Sequence, residues 1–157
     1  MEDGPSAPNW TKHVHNIAPA IILADEDRDD ATTAAAIDAI RSGRQIPATA
    51  SLSHGLKQEI VNGDAHFYHI YLYDSCDEDG DIVSVLINGT PFAEVPITHQ
   101  GTTISVPISS KQANTIEILG VRDGTGGITV ACMTSQGEFF SRVLAPGDVQ
   151  LLGVTLR

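Results

Sequence analysis

The chain is predicted to be all-β, an antiparallel β-sandwich of about seven or eight strands with Ig-like or jelly-roll-like character, preceded by an extended arm and one short helix. Three observations predict it. From residue 66 onward, short stretches rich in Val, Ile, Thr and aromatic residues recur at close intervals, separated by Gly, Pro, Asn and Asp. Several of them alternate apolar and polar positions with a period of two, as a half-buried strand requires. No helix-length segment interrupts the series.

In chain order, strands are expected near 66–73, 82–88, 92–97, 103–108, 114–121, 127–133, 138–144 and 149–156. The alternation is clearest in IVSVLIN, where Ile82, Ser84, Leu86 and Asn88 oppose Val83, Val85 and Ile87. It returns in TISVPI and NTIEILGV. Asn88-Gly89 between two such runs is a hairpin signal, because both residues accept positive φ.

Residues 1–65 read as a separate N-terminal arm, short helix and connecting segment, with the sandwich domain over 66–157. Pro5, Pro8 and Pro19 make the beginning extended. ADEDRDDATTAAAIDAIRSG has the marks of a helix: acids at its start, an Ala-rich middle, Arg41 near its end and Gly43 as a stop. Ala36, Ile37 and Ile40 give it a thin apolar stripe. A strand is expected around 48–53, then a segment of undecided type closed by Asn62-Gly63.

The charge narrows the function. The 157 residues carry 20 acids against 9 Lys and Arg, a net charge of −11. Binding a phosphate backbone or an anionic membrane surface needs clustered cations, so neither nucleic acid nor membrane is an expected partner. No apolar run reaches the roughly 18 residues needed to span a bilayer. The opening MEDGPSAPNW lacks the basic start and apolar stretch of a signal peptide.

The acids crowd in DSCDEDGD, residues 74–81, directly after the apolar run HFYHIYLY. Ser75, Asp77, Asp79 and Gly80 fall at the first, third, fifth and sixth places of a D-x-D-x-D-G calcium loop. Ser replaces the first Asp, and Leu86 stands where an EF-hand places its bidentate Glu, so only a half-loop pattern survives. If each connection reverses the chain, the loops at 74–81, 98–102, 122–126 and 145–148 share one rim. That rim would bring His99, Asp123 and Asp148 towards the acidic loop. Candidate Ca²⁺ ligands are Asp74, Asp77, Asp79, Asp81 and Asp123, and Ca²⁺ is the one cofactor the pattern suggests; a solvated polar turn is the competing reading.

Other constellations are weaker. His66 and His69 lie an odd number of positions apart on an expected strand and point to opposite faces, so they cannot chelate together. His13 and His15 would share a face if extended, but no third ligand accompanies them. Cys76 and Cys132, the two cysteines, form no CxxC motif, and a disulfide or two free thiols both remain open. There is no G-x-S-x-G elbow, and RDGTGG lacks the ending of a phosphate loop. The expectation is that the chain is not an enzyme. Asn9-Trp10-Thr11 matches a glycosylation sequon; Asn88-Gly89-Thr90 is followed by Pro91, which disfavours its use.

DEDGDIVSVLINGTPFAEVPITHQGTTISVPI together with NTIEILGVRDGTGGITVACMTSQGE resembles β-sandwich modules of bacterial surface and secreted proteins. The shared layout is DGD-x-V-x-V-x-x-NG, then N-x-I-x-I, then a DGxGG turn, over roughly residues 72–140. The resemblance implies a cell-surface or extracellular setting. Two functions compete. The first is a non-catalytic structural protein that self-associates as a homo-oligomer, filament or shell, or docks on a protein scaffold, through its arm. There NIAPAIILA, with Ile17, Ile21, Ile22 and Leu23, would add a strand to a neighbour's sheet edge. The second is a Ca²⁺-dependent carbohydrate- or ligand-binding module using the acidic rim, although the chain is short of the aromatic rings that sugar platforms need.

Overall fold

The computed structural model describes residues 19–157. Among these, nine strands form two sheets, accompanied by two α-helices. The five-stranded sheet contains β1 (Ala20–Leu23), β3 (Ile82–Ile87), β4 (Thr90–Pro96), β6 (Asn114–Arg122) and β9 (Val149–Leu156), in the order β1-β9-β6-β3-β4. The four-stranded sheet contains β2 (Ala65–Tyr73), β5 (Thr102–Ser109), β7 (Ala131–Thr134) and β8 (Gly137–Phe140), in the order β5-β2-β7-β8. Their inner faces share one core. Tyr68, Ile70, Leu72, Val106 and Ile108 from one sheet meet Val83, Val85, Ile116, Ile118 and Leu152 from the other.

The helices are α1 (Asp30–Arg41) and α2 (His54–Asn62). They cover the outer face of the four-stranded sheet, where Ala36 and Ile60 bury Ala65 and Phe67 in a second apolar cluster. This explains HFYHIYLY: β2 is buried on both faces near its start, so its pattern approaches a continuous apolar run rather than an alternation. A 3₁₀ turn at Asp25–Asp27 leads into α1. Asp29 caps the helix by accepting the Thr32 N–H at 3.0 Å. Thr33 Oγ1 accepts the Phe67 N–H at 2.9 Å and donates to the Asp29 carbonyl at 3.0 Å, fastening the helix start to β2.

Three expectations are corrected. The segment around 48–53 is a run of turns, and a second helix follows it. Ser53 caps that helix, Leu56 and Ile60 lie four apart on one face, and Gly63 ends it with φ +83°, so helical spacing prevails over a short apolar run. The strands expected at 127–133 and 138–144 are shorter, covering Ala131–Thr134 and Gly137–Phe140, with one isolated bridge between Ile128 and Leu144. Gly126 and Gly127, at φ +73° and +94°, prevent the earlier start. The sandwich is also not wholly antiparallel, because β1 pairs parallel with β9. The Asn88-Gly89 hairpin is present with both residues at positive φ, 51° and 82°. No helix among the described residues is long and apolar enough to cross a membrane.

Candidate metal centre

The acidic loop joins β2 to β3 and so crosses from one sheet to the other. Asp74 stands immediately after β2, and Asp81 immediately before β3. The β4–β5 and β6–β7 connections make the same crossing, and all three meet at this end. The Asp74 N–H donates to the Thr98 carbonyl at 2.8 Å, and the Ile97 N–H to the Asp81 carbonyl at 2.9 Å. From the β6–β7 loop, the Gly124 N–H donates to Asp81 Oδ1 at 2.9 Å, while Thr125 donates its N–H and its hydroxyl to Asp79 Oδ2 at 3.0 and 2.9 Å. The Gly124 backbone passes so close to the loop that a Cβ there would stand 1.6 Å from the Asp79 carbonyl oxygen. Only glycine permits that approach.

Ligand atoms of Asp74, Asp79 and Asp81 lie within 4.8 Å of one another. Asp74 and Asp81 are 3% and 2% exposed, a depth at which unpaired carboxylates are costly. Asp74 Oδ1 accepts the Cys76 N–H at 2.8 Å, but Asp74 Oδ2 is buried without a donor, and so is Asp79 Oδ1. Burial pushes the Asp81 carboxyl up to about 6; contact with Asp79 and the charge of Asp123 add to the rise, and the Gly124 N–H opposes it. Asp79 is held below the usual carboxylate range, first by its hydrogen bond with Asp81 and then by Thr125.

All these donors are oxygens, with no His or Cys among them. That set suits a hard cation. The cluster differs from the half-loop register. Asp77, its third place, is exposed, while Asp74, which lies outside that register, enters the cluster. Asp123 is half-buried nearby and turns its carboxylate onto the Gly127 N–H at 3.2 and 3.0 Å. Of the shared-rim neighbours, His99 does reach the loop: its N–H donates to Glu78 Oε1 at 2.7 Å, and its ring bonds the Cys76 carbonyl. Asp148 does not, since its carboxylate accepts the Ala145 N–H of its own turn at 3.0 Å.

The two cysteines are free thiols, Cys76 exposed in the acidic loop and Cys132 buried in the core on β7, so the disulfide left open by the sequence is not formed. Burial pushes the Cys132 thiol up to about 12, which leaves it unreactive. In the arm segment, Ile21 and Leu23 point into the chain's own core and Ile22 is 39% exposed. Ile17, His13, His15 and the Asn9 sequon lie outside the described residues.

Sequence reasoning missed one grouping, Asp29 with His69 and Ser105. The Ser105 hydroxyl donates to Asp29 Oδ2 and lies 3.4 Å from His69 Nδ1; the same ring nitrogen is 3.7 Å from Asp29 Oδ2. A nucleophilic relay needs the hydroxyl to donate to one imidazole nitrogen while the acid holds the other. Here one nitrogen faces both groups, and the serine donates to the carboxylate. Against the pull of burial, the bonds from Ser105 and Thr32 hold Asp29 below the usual carboxylate range, as suits a helix cap. The residues are 29, 69 and 105; the β2–β5 register pairs His69 with Ser105, and the Asp29 N–H on the Phe67 carbonyl at 2.8 Å brings Asp29 to the same strand.

No protein-family model, curated protein or solved structure matches the chain.

Proposed function

We propose that the chain is a non-catalytic structural or interaction module, a β-rich sandwich whose loop end is locked by one Ca²⁺ ion held by Asp74, Asp79 and Asp81. The observation that carries this reading is the pair of buried carboxylate oxygens without donors, Asp74 Oδ2 and Asp79 Oδ1, in two residues that cluster with Asp81 with ligand atoms within 4.8 Å of one another. The ion would neutralise carboxylates that otherwise repel and would tie three sheet-to-sheet crossings at one point. Burial of Asp74 and Asp81 favours such a clamp over an ion that presents open positions to a sugar. Leu119, Val149 and Leu151, on the outer face of the five-stranded sheet away from the helices, supply an apolar surface for a protein partner.

Thermal unfolding tests the reading. An ion that binds only the folded state stabilises it by roughly 2.7 kcal/mol at a hundredfold excess over Kd. Millimolar CaCl₂ should therefore raise Tm well beyond NaCl of equal ionic strength, and Asp79→Ala should erase most of that rise. Equal shifts from the two salts, with Asp79→Ala responding as the wild type does, would leave only screening and no site.

A further inference from the structure

At the end of β3 away from the acidic cluster, a cavity of about 360 Å³ opens between α2 and the β3–β4 hairpin. The six residues of β3 separate the two places by roughly 20 Å at strand rise, so the cavity is independent of the cation site. Its size falls in the range of small-molecule sites. Leu52, Leu56 and Phe92 form its apolar floor, and Phe92 packs against both apolar clusters, which puts the cavity on the seam between the helices and the sandwich.

One charged side chain lines it, Glu59. The Glu59 carboxylate is held by two neutral donors, the Ser109 hydroxyl on Oε1 and Gln112 Nε2 on Oε2 at 3.3 Å. No basic side chain pairs with it among the described residues. Each carboxylate oxygen can accept a second bond, so the group is positioned yet unsaturated. Two neutral acceptors beside it each take one backbone N–H: Asn88 Oδ1 that of Thr115 at 2.7 Å, and the Ser53 hydroxyl that of Leu56 at 3.2 Å. The cavity thus sets one carboxylate that no basic side chain neutralises, among the described residues, beside the apolar Leu52, Leu56 and Phe92.

We infer that this cavity binds a small organic ammonium ion with a compact apolar body, its charged end against Glu59 and its body on Leu52, Leu56 and Phe92. The competing attraction is the N-terminus of α2, whose first turn lines the same cavity and would draw an anion instead.

Three probes of similar shape separate these possibilities: 2-phenylethylammonium, 2-phenylethanol and phenylacetate, each titrated into the ¹⁵N-labelled full chain. Saturable shifts of the Leu52, Gly55, Leu56 and Asn88 amides are expected, with the ammonium ion binding tightest. Glu59→Gln should weaken the ammonium ion by about fivefold, the upper end for a half-exposed ion pair, and leave the alcohol unchanged. Because Glu59 also anchors Ser109 and Gln112, Gly55→Phe serves as a second variant. Gly55 lines the cavity and a Cβ there meets nothing within 4 Å, so a ring can be placed at the cavity's edge without a clash, and binding should be lost with Tm retained. No saturable shift with any probe, equal affinities for all three, preference for phenylacetate, or unchanged binding in Gly55→Phe would each overturn the inference.

Discussion

Replacing Asp81 by Asn should stabilise the cation-free protein at pH 7 by roughly 3 kcal/mol and remove most of its response to Ca²⁺. The sign follows from where the proton sits. An unfolded Asp titrates near 3.9, whereas folding raises Asp81 to about 6, with burial as the main cause. A group raised on folding contributes stability that is fully present below its unfolded value and is lost as pH rises through its folded value. The wild type without cation should therefore lose stability from about pH 4 to somewhat above pH 6. At 1.36 kcal/mol per pH unit, a rise of roughly two units gives the stated magnitude. Asn resembles the protonated acid in shape and has no proton to lose. Urea unfolding at pH 5 and pH 7, with and without CaCl₂, measures the effect. With Ca²⁺ present the order at pH 7 should narrow or reverse, because the ion stabilises the wild type and not the variant. A variant less stable than wild type at pH 7 without cation would mean that the ionised carboxylate is already compensated.

The acidic cluster was partly legible. A crowd of acids in a turn is visible in DSCDEDGD, and the shared rim of alternate loops follows from strand reversal. The choice of ligands was not visible, because it depends on which carboxylates the folded loop buries. Asp74 directly follows β2 and Asp81 directly precedes β3, so the sheets carry them inward, whereas Asp77 sits at the outer part of the loop and is exposed. A reading in the register of a calcium-loop motif selects by spacing and cannot weigh burial. The donors that hold the cluster, Gly124 and Thr125, come from more than 40 positions away, and only their Gly-rich turn hinted at a close backbone approach.

The β-rich two-sheet architecture was legible because alternation in β3 and β6 reports one buried face directly, and Asn88-Gly89 fixes the hairpin between β3 and β4. α2 escaped because only Leu56 and Ile60 mark its apolar stripe, too few to outweigh a neighbouring run that reads as a strand. The acids before α1 were read as a helix-dipole pattern, yet two of them have particular partners. Asp27, 5% exposed, accepts the Ser135 N–H and hydroxyl, both at 2.7 Å, which ties the 3₁₀ turn to the β7–β8 hairpin. Asp29 caps α1 and meets Ser105. Long-range partners of that sort leave no local trace in a sequence.

Leu23→Ala should cost about 2–5 kcal/mol, the usual range for truncating a fully buried leucine, while Ile22→Ala should stay within about 1 kcal/mol of wild type. The two neighbours differ because β1 alternates. Leu23 is 0% exposed and belongs to the sandwich core, whereas Ile22 is 39% exposed on the outer face. Its backbone is also fixed, by parallel pairing of Ile22 with Thr155 and Leu23 with Leu156 and by the Thr134 hydroxyl on the Ile22 carbonyl at 2.7 Å. Ala20–Leu23, within the segment read from sequence as an arm for a neighbour's sheet, is therefore an edge strand of the chain's own sheet, and deleting residues 1–24 should unfold the domain rather than simply release a partner. Equilibrium unfolding at several protein concentrations distinguishes the arrangements. A midpoint independent of concentration means that each chain supplies its own β1. A midpoint that rises with concentration, with Leu23→Ala weakening association as well as stability, means that copies exchange this strand, because the same buried contacts would then be made between molecules.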